Sequence, residues 1–332
     1  MYSKFPGLSE LLARLNWHIL QVTEIKRQYE VTPDIGAQPA TLYRLKLKNE
    51  HGENIAAIYK LFADRRSQEL DIYEQVYSEV PFLLPILYYV IRLPAEKGIL
   101  LEDVGESLFP IFKAGTKEEK KNILKGLSTF LAELHIRLAE VSTIWLKKGL
   151  IADASSHPKR VWAEKALKEL TLLAEQGLIV QQGWTIQEIQ KIINFLYLYY
   201  SDLTAGPKTC SPGDLHMGNI LLCGQDNYRL IDWEWASLAL PQQDLATLLK
   251  DIWEDELHSF LLSAYQDELL KRGWVFEKDS FIKGFAVYMI EHTLMNFCWD
   301  IAKYKNKPSK QKLTSLIITK TRWIKKYYEM IG

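Results

Sequence analysis

Residues Cys210 to Glu234 constrain the fold of this 332-residue chain more than any other stretch. Ile220 to Cys223 and Tyr228 to Ile231 read as two short apolar strands, joined by the turn-rich Gly224, Gln225, Asp226 and Asn227. Such a hairpin is expected to bring Asp232 back toward Asp214 and Asn219. A carboxylate, a carboxamide five residues later and a second carboxylate suit a hard divalent cation plus a base for a hydroxyl. Taken singly, Asp and Asn between strands are ordinary turn residues. The joint pattern, with an apolar strand on each side and Asp244 downstream, is what carries weight.

The same residues resemble the catalytic segment of the aminoglycoside phosphotransferase and choline kinase superfamily, roughly H-G-D-x-H-x-x-N followed by I-D-W/F-E. Gly213-Asp214-Leu215-His216-Met217-Gly218-Asn219 and Ile231-Asp232-Trp233-Glu234 match it, and Pro241 with Asp244-Leu245-Ala246 matches the trailing P-x-x-D-L-A. The resemblance implies an α+β, bilobal, protein-kinase-like fold: a β-rich N-lobe over 1–101, a hinge at 102–105 and a mainly helical C-lobe over 106–332. It also implies a phosphotransferase, dependent on ATP and Mg2+, that phosphorylates a hydroxyl of a small polar molecule (aminoglycoside-, amino alcohol- or sugar-like). A cytoplasmic location is a separate expectation, from the lack of a signal-like or bilayer-spanning run. In that scheme Asp214 orients or deprotonates the acceptor hydroxyl, while Asn219 and Asp232 hold the magnesium. GTP in place of ATP stays open. One departure stands out: Pro212 occupies the position of the family's His, which bears on local geometry more than on chemistry.

The first hundred residues read as a nucleotide lid. Leu42 to Leu47 alternates apolar and polar residues, as a half-buried strand does, and Ile55 to Phe62 forms a second strand carrying Lys60. Ser67 to Tyr77 supplies a helix with Leu70, Tyr73 and Val76 on one face. By the resemblance Lys60 contacts the nucleotide's phosphates and Glu69 steadies it. Two more strands, Ile86 to Ile91 and Gly98 to Val104, lead to a hinge where backbone groups near Glu102 and Val104 would bond the adenine. The lid loop keeps only Gly36, so either side chains such as Gln38 and Thr41 cover the phosphates in place of bare backbone or the grip on them is looser.

Composition narrows the partners. Forty-one basic residues balance 41 acidic ones, which leaves no polyanion-binding footprint and argues against nucleic acid. Three cysteines (Cys210, Cys223, Cys298) have no paired-metal spacing and fit a reducing compartment. The longest apolar run, Val80 to Val90, is too short to span a bilayer and is broken by Pro81 and Pro85.

From Lys117 the pattern is helical. His135 reads as a packing and hydrogen-bonding residue, and Trp145, Trp162, Trp184 and Tyr197 to Tyr200 as helix core before stacking faces for a sugar. Glu254, Asp255 and Glu256, with Glu234 and Asp251, read first as a solvated charged face and second as an acidic rim that modestly favours a cationic acceptor. Glu291 and Asp300 are further candidates for that rim. A rival reading is a nucleotide-binding pseudokinase or spore-coat-type member of the superfamily, favoured by Pro212 and the glycine-poor lid. Retention of Lys60, Glu69, Asp214, Asn219 and Asp232 argues against it. A protein kinase is disfavoured because the eight residues between Asp232 and Pro241 are too few for a peptide-docking segment.

Overall fold

The computed structural model describes residues 5–25, 40–62, 68–154, 159–177, 184–224, 227–250, 252–305 and 310–332. Gly36, Gln38, Asp251 and His157 therefore lie outside the described residues. The chain divides into two compact units: Met1–Ala114 with Met217–Glu234, and Gly115–His216 with Trp235–Gly332.

The first unit is built on a five-stranded antiparallel sheet. Its elements are helix α1 (Pro6–Arg14), strands β1 (His18–Ile25), β2 (Thr41–Lys48) and β3 (Asn54–Phe62), helix α2 (Gln68–Glu79), strands β4 (Leu87–Leu93) and β5 (Glu96–Glu102), and helix α3 (Leu108–Ala114). Strand order is β1-β2-β3-β5-β4. In β2 the period-two pattern buries Tyr43, Leu45 and Leu47 and exposes Arg44, Lys46 and Lys48. Those buried residues meet Phe5, Leu8, Leu12, Tyr59 and Leu100 in one cluster. Phe5 packs edge-on against Tyr43 with ring centroids 4.6 Å apart.

A carboxylate within that apolar cluster needs an explanation, and Glu96 has one. Its oxygens accept from the Gly7 and Leu8 amides at 2.7 and 2.9 Å and from the Tyr59 hydroxyl at 2.7 Å. The first amides of α1 have no partner inside the helix, so the buried anion satisfies them where the helix dipole favours negative charge.

The hairpin of strands Ile220–Leu222 and Tyr228–Leu230 belongs to this unit. It is anchored where Leu222 N donates to Glu106 O and Ser107 pairs with Leu221.

The second unit is helical: α4 (Lys117–Lys147), α5 (Arg160–Glu175), α6 (Ile186–Leu198), the one-turn α7 (Tyr200–Leu203), α8 (Pro241–Leu249), α9 (Asp255–Lys271), α10 (Lys278–Lys305) and α11 (Lys310–Glu329). Thr116 and Glu119 form a reciprocal capping box that fixes the start of α4. Every residue of α8 is buried, which marks it as the unit's central helix. Three short strands, 152–153, 209–211 and 237–239, form a small sheet beside it. Trp145, Trp184 and Tyr200 are buried as expected, and Trp162 stacks on Trp299. The basic C-terminal stretch packs through Leu313, Leu316, Ile317 and Trp323. Among the described residues no helix is long and apolar enough to cross a membrane.

Candidate functional site

In the first unit, β3 points Tyr59 into the core and Lys60 toward the opposite face, as alternation requires. The Lys60 ammonium lies 2.6 Å from Glu69 Oε1 and 2.9 Å from Asp232 Oδ1. Glu69 sits in the first turn of α2, and its side chain is almost wholly buried. Burial works against the Lys60 charge, but the Asp232 and Glu69 carboxylates outweigh it and hold the pKa above its usual value. Burial pushes the Glu69 carboxyl up, Lys60 pulls it down, and Asp232 and Glu234 add to the upward push.

Asp232 follows directly on the hairpin, with Ile231 N donating to Asn219 O at 3.0 Å. Its φ of 68° places a non-glycine residue in the left-handed region, a conformation kept only where surroundings over-determine it. Asn219 ends a short 3-10 turn and is buried. Glu234 joins the group: one carboxylate oxygen each of Glu69, Asp232 and Glu234 lie within 4.8 Å of one another. Three carboxylates against one ammonium leave an excess of negative oxygen, and Glu69 Oε2 is buried with no hydrogen-bond partner among the described residues. That orphaned acceptor and all-oxygen donor set fit a hard divalent cation. Sequence reading had placed Glu234 in the motif without a metal role; its position two residues after Asp232 was the available signal.

At the end of β5, Glu102 N donates to Ile86 O at 2.9 Å and Asp103 N to Ala56 O at 3.1 Å. Asp103 also bonds Arg44 at 2.6 Å. Val104 follows outside the ladder, half-buried, and its backbone groups have no partner among the described residues. Thr41 opens β2 at the edge of the undescribed segment.

In the second unit, Asp214 is reached through strand 209–211, Pro212 and Gly213. Gly213 has φ 84°, and a Cβ there would lie 2.0 Å from the Trp235 carbonyl oxygen, so only glycine fits. Its amide donates to Ser211 Oγ at 2.9 Å, and that hydroxyl donates to Asp244 Oδ1 at 2.6 Å. His135 Nε2 lies 2.9 Å from Asp244 Oδ2 and His135 Nδ1 2.6 Å from the Tyr265 hydroxyl. The side chains of Ser211, Asp244, His135 and Tyr265 are all fully buried, so the network fixes the loop as a rigid base. The expected hydrogen-bonding role of His135 is thus realised, with Asp244 as the hub.

Asp214 itself is 40% exposed at its side chain, with Lys250 Nζ 3.2 Å from Oδ1 and His216 Nε2 3.6 Å from Oδ2. Lys250 was not singled out from sequence. It reaches Asp214 only because α8 ends beside the loop, which no local pattern encodes.

Behind it, Glu291 is buried and accepts from the Tyr197 and Tyr200 hydroxyls and the Lys159 amide, each at 3.0 Å. Lys159 Nζ lies 3.3 Å from His292 Nε2. The acids once considered for a rim are already paired: Glu254 with Lys120 at 2.6 Å, Glu256 with Lys117 at 2.6 Å, Asp255 with Trp323 Nε1 at 2.7 Å, and Asp300 with the buried Lys320. Glu254, Asp255 and Glu256 stay partly exposed, each offset by its partner.

The sequence matches the phosphotransferase enzyme family over residues 50–279. Similar solved structures include a choline kinase from Streptococcus pneumoniae at 15% identity, covering 98% of this chain and 97% of that one, with a TM-score of 0.53. Its complex with AMP gives 15%, 99%, 99% and 0.55. The ADP-bound aminoglycoside phosphotransferase APH(2'')-Ib gives 13%, 98%, 98% and 0.54, and a macrolide 2'-phosphotransferase type I gives 14%, 96%, 96% and 0.54. At such identities the likeness is one of fold.

Proposed function

We propose that this chain, which belongs to the phosphotransferase enzyme family, transfers the terminal phosphoryl group of ATP to a hydroxyl of a small polar molecule in the presence of Mg2+. The observation that carries the reading is the Lys60–Glu69–Asp232 constellation, assembled from β3, α2 and the end of the hairpin. Residues so distant in sequence converge on an arrangement with no packing purpose, since burying one ammonium among carboxylates is costly unless a ligand uses it.

Lys60 neutralises nucleotide phosphates, and Glu69 keeps it aimed. Asp232, Asn219 and Glu234 supply oxygen ligands for magnesium, which when bound offsets phosphate charge as the terminal bond loosens. The hinge at 102–105 receives the adenine, with the Val104 N–H, which has no partner among the described residues, as donor and Glu102 alongside; this fits the AMP and ADP found in related structures. Asp214 orients the acceptor hydroxyl and takes its proton as the new P–O bond forms. A base for a loose transition state has little proton transfer to drive before bond formation, so a carboxylate held beside a lysine is adequate.

The test is Asp214→Asn. A carboxamide neither accepts the proton nor carries the charge, so transfer to any competent acceptor should fall by at least about 100-fold. Nucleotide affinity, measured by calorimetry with MgATP, should stay within a few-fold. Near-wild-type turnover by this variant would remove Asp214 from the chemistry.

A further inference from the structure

Two lysines stand in the second unit around Asp214. Lys250 Nζ stands 3.2 Å from Asp214 Oδ1, and only 12% of its side chain is exposed, so the ammonium is held in place at the reacting carboxylate. A second ammonium, on Lys159, is held from behind by His292 and by the bond from its own amide to Glu291. Among the described residues the only partner of Lys159 Nζ is a histidine nitrogen, and the only partner of Lys250 Nζ is Asp214. An ammonium has three donors, so both keep protons to give.

The nearby carboxylates already have partners within the protein. Glu291 is occupied by two tyrosine hydroxyls and an amide. Asp244 is occupied by Ser211 and His135. The two lysines also repel each other: after burial, which acts first, Lys250 helps hold the Lys159 pKa down, while Glu291, Asp214 and Asp244 oppose it. His292 stays neutral because burial, with Lys159 and Lys250, drives its pKa well below 6.5. Thr247, three residues before Lys250, lies 3.0 Å from the same His292 nitrogen that meets Lys159, which sets the two ammoniums in one neighbourhood. Asp214 offsets part of their repulsion, and the donors left over on each call for an oxygen acceptor.

We infer that the acceptor carries an anionic oxygen group close to the hydroxyl that is phosphorylated, as in a hydroxy acid or a phosphorylated polyol, and that Lys250 and Lys159 hold that group. The inference rests on the reading of Asp214 given above. It reverses the modest preference for a cationic amine that the acidic residues had raised.

The experiment uses the full chain with MgATP and four probes of similar size: D-glycerate, glycerol 3-phosphate, glycerol and choline. Calorimetry with MgATP alone tests the kinase reading separately. Probe binding is then measured by saturation-transfer NMR, with and without a non-hydrolysable ATP analogue, so that the anion site is judged even if nucleotide fails to bind. One or both anions should bind more tightly than glycerol and choline. Lys250→Met should weaken that binding about 10- to 100-fold, the worth of a charge-assisted hydrogen bond. Lys250→Arg should keep it within a few-fold, and MgATP affinity should not move in either. Lys159→Met should act in the same direction, and Lys250→Met stands in for it if that variant does not fold. Tighter binding of choline, anion affinities indifferent to Lys250→Met, or no anion binding at all would each overturn the inference.

Discussion

Replacing Lys60 by methionine keeps most of the side-chain volume and removes the charge. In the wild type its ammonium serves Glu69 at 2.6 Å and Asp232 at 2.9 Å, with Glu234 close by. Removing one side of a buried ion pair typically costs about 3–5 kcal/mol. The Asp232 side chain keeps 31% of its surface in water, which screens its share and sets the loss near the lower end, about 3 kcal/mol. At roughly 3 °C per kcal/mol, the unfolding midpoint of the first unit should fall by about 10 °C. The deficit must also depend on pH. Burial already pushes Glu69 above 4.5, and without Lys60 the main downward pull is gone. A carboxyl whose folded pKa exceeds its unfolded value penalises the fold at higher pH, and the penalty vanishes as pH falls and the group takes up a proton. The loss should therefore be full near pH 8 and shrink toward pH 5, and Glu69→Gln added to Lys60→Met should recover part of it near pH 8. Urea unfolding followed by circular dichroism across that range is the assay. A loss below about 1 kcal/mol near pH 8, the scale of an exposed pair, would refute the reasoning, as would a loss that ignores pH.

Asp232→Ala should abolish magnesium-dependent nucleotide binding in calorimetry, with Asn219→Ala a weaker version; unchanged affinity in the former would move the metal elsewhere. His258 is buried between the Tyr327 hydroxyl and the Ile252 carbonyl, and burial lowers its pKa to about 4. Because the unfolded chain takes its proton first, stability of the helical unit should drop by up to about 1.4 kcal/mol per pH unit as pH falls from 6.5 toward 4, and His258→Asn should remove that slope in acid-unfolding curves. Gly213→Ala combines a left-handed φ of 84° with a Cβ 2.0 Å from a carbonyl oxygen, so it should cost about 3 kcal/mol or more and disable transfer, read by thermal unfolding and turnover together.

Much of this was legible before any coordinates. The strands carrying Lys60 and the hairpin before Asp232 follow from local alternation and turn composition, and helix α2 from the spacing of Leu70, Tyr73 and Val76. What local pattern cannot give is who pays for a charge. Glu254 read as part of an acidic face because its partner Lys120 stands 134 residues away. Lys250 carried no signal, since its approach to Asp214 depends on where a buried helix ends. Glu291 reads from sequence as a candidate for the acidic rim; its two tyrosine donors lie 94 and 91 residues earlier. In each case the missing information is tertiary, and it changes the expected chemistry of the acceptor more than it changes the fold.

The hairpin that ends at Asp232 belongs to the unit that begins the chain, although residues 115–216 separate them. During synthesis the first unit therefore cannot close when its sheet and α3 have emerged; it waits for residues 217–234. At about 5–20 residues per second, the stretch from 115 to 234 takes roughly 6–24 s. Throughout it, the surfaces that later seat Ile220 and Leu230 are open to solvent and to other nascent chains. The wait gives chaperones a defined interval in which to act, and it delays the Lys60–Asp232 contact until most of the second unit's N-terminal helices already exist. The Lys60–Glu69–Asp232 cluster is thus finished late in translation, by the segment that carries Asn219, Asp232 and Glu234.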